Sequence, residues 1–295
     1  MKASMTLWQE YRQPTSLAEA ISDLINAPKP VVPIAGGTDL LLDMRQGRHA
    51  PAHTLLDLTG VSEMNGIEIK NESLYIGACI PINRIINHPL IHENAQALFE
   101  ACDLIAGPQV RNIATLGGNV AHALPAGDGT IALVALGASA EIASRDGLQQ
   151  TPIQNLFRGP GKSAIDKSCE LIAGFYIPLA NTGQASAFKR IMRPQGVALP
   201  ILNCAVWVER EGERIKECRI AVGPGGPTPF RATDAEGVLH GQIYSEESIA
   251  QVITAILAQG SFRTSPRRAT SQYRQHILHE LFRDTLKEAW ARTID

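Results

Sequence analysis

The chain has 295 residues, 44% of them hydrophobic and 19% charged, with a formal net charge of −2. That length and apolar content can bury a sizeable core and exceed one ordinary domain, so two or three packed subdomains are expected. The near-neutral balance, with basic residues such as Arg267 and Arg268 scattered rather than striped, excludes the broad positive field that would hold nucleic acid or an anionic membrane surface.

Residues 1–10 contain no apolar leader segment, and no apolar run reaches bilayer length, so a cytoplasmic protein is expected. Ser16-Leu17-Ala18-Glu19 is a capping box. Leu17, Ile21, Leu24 and Ile25 follow at helical spacing before Pro28, which predicts a first helix. Residues 31–34 predict a short buried strand running into Ala35-Gly36-Gly37-Thr38-Asp39-Leu40. A second strand over 54–58 closes a first lobe, residues 1–60.

A hairpin of 67–69 with 74–76, turning through Lys70-Asn71-Glu72-Ser73, opens a second lobe, residues 61–180, and leads to a helix over 94–105. A second glycine segment, Thr115-Leu116-Gly117-Gly118-Asn119, follows as a loop and runs on to Ala123-Leu124-Pro125-Ala126-Gly127-Asp128. A helix over 131–136, a strand over 140–143, an Arg145-Asp146-Gly147 turn and a strand over 171–177 ended by Pro178 complete the lobe. The last domain, 181–295, carries strands over 205–209 and 215–222 joined through Glu211-Gly212-Glu213. Helices over 246–258 and 273–291 follow, the second with an apolar stripe of Leu278, Leu281, Phe282 and Leu286. The class is α+β.

Each glycine segment ends an apolar stretch and pairs glycines, which admit close backbone approach, with a hydroxyl or amide side chain able to donate to phosphate oxygens. Alone, either reads as a tight turn in which Thr38 or Asn119 bonds its own backbone. Other features read blandly. Gly159-Pro160-Gly161-Lys162-Ser163 has a phosphate-loop ending, but Leu156 stands where the leading glycine is required. His276 and His279 lie three apart with no third ligand, so no metal site is expected, and no G-x-S-x-G marks a hydrolase nucleophile. Cys79, Cys102, Cys169, Cys204 and Cys218 are odd in number and widely spaced, which predicts buried free thiols.

Taken together and in order, the two segments and the P-x-G-D tail resemble the FAD-binding medium subunit of the molybdenum hydroxylases, the xanthine dehydrogenase and carbon monoxide dehydrogenase family. Gly107-Pro108-Gln109-Val110-Arg111-Asn112, Ser186-Ala187-Phe188-Lys189-Arg190 and Tyr273-Arg274 extend the resemblance over nearly the whole chain. It implies a two-lobed FAD-binding domain of the vanillyl-alcohol-oxidase/PCMH type followed by a small α+β domain of antiparallel sheet and helices. Pro33, Ile34, Ala35, Gly36, Gly37, Thr38, Asp39 and Leu40 would trace one side of the FAD diphosphate, and Thr115, Leu116, Gly117, Gly118 and Asn119 the other.

By the same resemblance Asp128 would accept from ribityl or ribose hydroxyls, Ile105 would lie against the isoalloxazine, Ile172 would meet the flavin through its backbone, and Lys189 would sit near the pyrimidine side. Ala106, Val110 and His122 join the cofactor-binding positions. Leu124 stands where relatives have a serine, and Ile105 replaces an aromatic found in some. No side chain is assigned as acid, base or nucleophile, and no cysteine cluster exists for an iron–sulfur centre. The implied function is an oxidoreductase subunit. It would take electrons from [2Fe-2S] clusters of a small partner subunit, itself served by a large molybdopterin subunit, and pass them to NAD, oxygen or a quinone. A dimer of such heterotrimers is the implied assembly. The alternative is a self-sufficient FAD-dependent oxidase or reductase of the same fold.

Overall fold

A computed structural model describes residues 6–193, 199–266 and 268–294. The first lobe contains β1 (Glu10–Arg12), α1 (Leu17–Asn26), β2 (Val31–Ile34), α2 (Leu40–Arg45) and β3 (Thr54–Asp57), with the strands in a parallel sheet ordered β1-β3-β2. The capping box starts α1 as its sequence predicts, since the Ser16 hydroxyl accepts from the Glu19 amide. The Glu19 carboxylate, however, reaches one residue further back, to the amide and hydroxyl of Thr15. The apolar stripe Leu17, Ala20, Ile21 and Leu24 is buried, which fixes the helix against the second lobe.

The second lobe runs through β4 (Ile67–Lys70), β5 (Ser73–Gly77), α3 (Ile82–Ile86), α4 (Pro89–Asn94), α5 (Gln96–Asp103), α6 (Pro108–Arg111), α7 (Leu116–Ala121) and α8 (Asp128–Ala135). It continues with β6 (Ser139–Ser144), β7 (Gly147–Pro152), β8 (Phe157–Gly159), β9 (Lys162–Ser163) and β10 (Leu171–Pro178). Its antiparallel sheet is ordered β4-β5-β10-β6-β7. Asn71 and Glu72 both take positive φ, 52° and 56°, as a two-residue hairpin turn requires. The phosphate-loop look-alike is the β8–β9 hairpin, turning at Gly161 with φ +69°. The helix expected over 94–105 is shorter and separated from α4 at Ala95, where φ −143° and ψ 53° leave the helical region. The second glycine segment, expected as a loop, is instead the opening of α7.

The last domain consists of β11 (Gln184–Met192), β12 (Pro200–Glu211), β13 (Arg214–Gly223), β14 (Phe230–Arg231), α9 (Thr233–Leu239), α10 (Glu246–Gln259) and α11 (Ser271–Ala291), with sheet order β11-β12-β13-β14. Strand alternation gives the sheet two apolar faces. Ala187, Cys204, Val206, Val208 and Ile220 face α9 to α11. Phe188, Ala205, Trp207 and Ala221 join the main core, against α5 and α8. Every residue of α8 is buried, because lobe and sheet cover it from opposite sides. Cys79, Cys102, Cys204 and Cys218 are buried free thiols and Cys169 is half-buried; His276 and His279 are exposed on α11.

Candidate functional site

The first glycine segment leaves β2 at Ile34 and enters α2 at Leu40. Gly37 has φ +66°, a region that disfavours any side chain, and a Cβ there would fall 2.6 Å from Ile34 Cδ1. A Cβ on Gly36 would fall 2.2 Å from the carbonyl oxygen of Ile113. Gly36 therefore packs on the backbone that leads into the second segment, and the fold brings the two segments together. The amides of Gly36, Gly37, Thr38, Asp39 and Leu40 donate to no acceptor among the described residues, and the Thr38 hydroxyl has no partner either. Five successive N–H groups without an internal acceptor are donors available to an anion.

The second segment is organised differently. Thr115 caps α7, its hydroxyl oxygen accepting from Gly118 N at 3.0 Å. The Gly117 amide donates to Ala78 O at 3.0 Å, and the Asn119 amide to Thr115 O at 3.1 Å. Most backbone donors here are consumed, and what remains is on side chains. The Thr115 O–H proton is free. Asn119 Oδ1 is held by the amide and hydroxyl of Thr130 at 3.2 and 3.1 Å, which turns its NH₂ outward. Gly117 is locked, since a Cβ would lie 2.5 Å from Ala78 O. Gly118 is exposed, and a Cβ there would meet only Thr115 Oγ1, at 3.2 Å. The segments are thus unequal halves: one supplies backbone amides, the other side-chain donors beside an open glycine. A diphosphate offers acceptors only, and this donor-rich pair fits it.

Asp39 and His122 bridge the halves, Oδ2 to Nδ1 at 3.5 Å. The hydrogen bond to Asp39 raises the His122 pKa, while the bond to His122 lowers that of Asp39. A raised histidine contributes stability that is complete below its unfolded value of about 6.5 and is lost as pH climbs through the folded value. The depressed Asp39 loses its share as pH falls through its own folded value. With Asp39 65% and His122 33% exposed, screening keeps the effect small, at most about 0.5 kcal/mol. Urea midpoints should therefore decline slightly from about pH 6.5 to 8, and His122→Gln should flatten that slope; an unchanged slope would remove the pair from the account.

The remaining candidates divide. Ile105 and Ala106, the latter at φ +44°, form a turn held by Arg111, whose Nη1 donates to Asp103 O, Ile105 O and Ala106 O at 2.7, 3.2 and 3.1 Å. Val110 stands exposed one turn before Ala114, whose amide it accepts at 2.7 Å. Ile172 is buried at a bulge of β10, next to Ala173, whose carbonyl accepts from Ala78 N at 2.9 Å. Through Ala78 it is one step from Gly117. Asp128 lies behind the second segment, its carboxylate taken by Arg190 Nη1 and by Asn203 Nδ2 at 2.7 Å.

Lys189 is on the opposite face of β11 from Arg190 and reaches Glu288 of α11, Nζ to Oε2 at 3.7 Å. The structure does not turn it toward the glycine segments. A groove of about 500 Å³ lies between α1 and the β6–β7 turn, away from both segments. Sequence reasoning missed Arg111, Thr130, Arg190 and Asn203 as supporting residues. The signal for the last two was Asp128 itself, a lone carboxylate in the apolar stretch 123–136 that demands a buried partner.

Residues 4–180 match the family model described as the FAD binding domain in molybdopterin dehydrogenase, and residues 186–289 match the CO dehydrogenase flavoprotein C-terminal domain. The chain is 32% identical to the nicotine 6-hydroxylase medium subunit of Paenarthrobacter nicotinovorans, over 96% of this chain and 98% of that one. It is 29% identical to the xanthine dehydrogenase FAD-binding subunit of Escherichia coli O157:H7, over 95% and 96%. In three dimensions it resembles a chain of carbon monoxide dehydrogenase from Hydrogenophaga pseudoflava with a TM-score of 0.90 at 28% identity, covering 96% of this chain and 97% of that one.

Proposed function

The chain belongs to the family of FAD-binding subunits of molybdopterin dehydrogenases, and on that premise we propose that it is the electron-transferring medium subunit of a three-subunit enzyme, binding one FAD between its two glycine segments. The observation that carries the binding site is the contact of Gly36 with Ile113, which joins five free amides to the Thr115–Asn119 donors. The amides of residues 36–40 and Thr38 hold one side of the diphosphate; Thr115 and Asn119 hold the other. Ile105, Ala106 and Val110 line the approach to the ring, and Ile172 backs it. FAD held there would supply the redox chemistry that links [2Fe-2S] clusters of a small subunit to NAD, oxygen or a quinone. The chain's own residues bind and orient it.

Residues 1–60 and 61–180 act as the two lobes around the cofactor, with 181–295 as the domain that braces them. The donor of electrons lies in a partner, a reading supported by the naming of a relative as a medium subunit. Cytoplasmic assembly with the large molybdopterin subunit as a dimer of heterotrimers completes the proposal.

Purification from the native host with flavin and metal analysis tests it. The expected result is co-purification with an iron-bearing and a molybdenum-bearing chain, with all flavin released as FAD on acid precipitation, since no His or Cys stands at a position suggesting a covalent link. A metal-free monomer that oxidises an organic substrate unaided would establish the self-sufficient flavoenzyme instead. Flavin retained by the precipitated chain would refute non-covalent binding.

A further inference from the structure

Arg190 of β11 and Asn203 of β12 are direct cross-strand partners. Both side chains face the second lobe, where they grip Asp128 at the first turn of α8. The Arg190 and Asp128 side chains are each 5% exposed and Asn203 is fully buried. Asn203 Nδ2 also donates to Ala126 O at 3.2 Å, so the pair holds the turn before α8 as well as the carboxylate.

A buried ion pair of this kind is a poor way to add stability. Desolvation offsets most of its attraction, and apolar residues of similar volume commonly do as well. Here the cost is increased, because Arg190 Nε and Asn203 Oδ1 are buried without partners. What such a cluster does well is fix one arrangement among several.

The arrangement it fixes leads to the glycine segment. Thr130, two residues after Asp128, donates through its amide and hydroxyl to Asn119 Oδ1. Leu116 Cδ1 lies 2.8 Å from where a Gly129 Cβ would stand. The start of α8 is thus pinned on one side by the C-terminal sheet and on the other by the second donor segment. The two contacts account for one lone pair on each Asp128 oxygen, and a carboxylate offers about four acceptor positions. Acceptor capacity therefore remains.

We propose that Arg190 and Asn203 are positioning residues through which the C-terminal sheet sets the second half of the cofactor clamp, holding the start of α8 so that Asn119 presents its NH₂ toward the bound cofactor. This rests on the FAD reading above. It differs from a packing role in one measurable respect: loss of the charge at position 190 should weaken FAD binding by the folded chain, which a comparable loss of stability elsewhere in the domain does not.

The experiment uses the full chain, stripped of flavin, with FAD affinity read by titration and stability by urea denaturation. Arg190→Met keeps most of the volume and removes the charge; Arg190→Lys keeps the charge. Phe282→Leu, a fully buried change on the far side of the sheet, supplies a control destabilised without touching the cluster. Arg190→Met is expected to weaken FAD binding by about 10- to 100-fold, the loss of one hydrogen bond to a charged group. Arg190→Lys should stay within about threefold of the parent, and Phe282→Leu should bind like the parent where it is folded. If Arg190→Met binds FAD no worse than Phe282→Leu, or if Lys is as damaging as Met, the positioning role is overturned. Should Arg190→Met fail to fold, Asn203→Ser carries the same comparison, with weakened FAD binding supporting the role and parental binding rejecting it. A parent chain that takes up no FAD sinks the FAD reading itself, a distinct outcome.

Discussion

Gly118→Val is expected to yield a folded chain that has lost its flavin. A Cβ at Gly118 meets only Thr115 Oγ1 and otherwise projects into open space on the exposed side of α7. The protein itself thus has room for valine, and at this helical position valine is no worse than glycine, so stability should stay within about 0.5 kcal/mol. The same isopropyl group would fill the approach to the Thr115 hydroxyl and the Asn119 NH₂. Losing two bonds to a charged diphosphate, at about 1.5–3 kcal/mol each, weakens binding by 100-fold or more. Flavin absorbance per folded chain is the readout, and a well-folded variant with full flavin would remove this segment from the binding site.

Gly36→Ala should fail in a different way. Its added methyl would meet Ile113 O at 2.2 Å and Ala114 Cα at 2.8 Å. Both are backbone atoms that no rotamer change can move. Overpacking of this kind costs about 1–3 kcal/mol, and the relief open to it is for the first segment to move off the second. Urea midpoint and FAD content should therefore fall together, in contrast to Gly118→Val. A Gly36→Ala chain with parental stability would mean that the contact between the segments is not the organising one.

Much of this architecture is written in local sequence. Ser16 and Glu19 announce α1, Asn71-Glu72 sits where a tight turn is needed, and the alternation of β12 and β13 is plain. What was illegible depended on tertiary partners. Glycines argue against a helix, yet α7 forms because Thr115 caps it and Gly117 must approach Ala78. β11 is half polar in sequence because it serves two faces, with Ser186 and Arg190 making hydrogen bonds to α5 and α8. The glycine segments were found from sequence; that one offers amides and the other side chains follows from which carbonyls lie nearby, something no spacing encodes. Lys189 was a candidate by resemblance alone, and strand alternation places it on the helix-covered face.

The burial of α8 bears on how the chain is made. Its apolar residues Ile131, Ala132, Leu133 and Val134 are covered in part by Ala205, Trp207 and Ala221, which leave the ribosome some seventy to ninety residues later at about 5–20 residues per second. Over that interval the amino-terminal lobes present an uncovered apolar seam to solvent. A polypeptide ended at the family-model boundary near 180 would keep that seam permanently, so the two matched regions are separable in alignment but not in synthesis. Grafting the last domain of a relative onto these lobes would need its inward-facing strand residues to come with it.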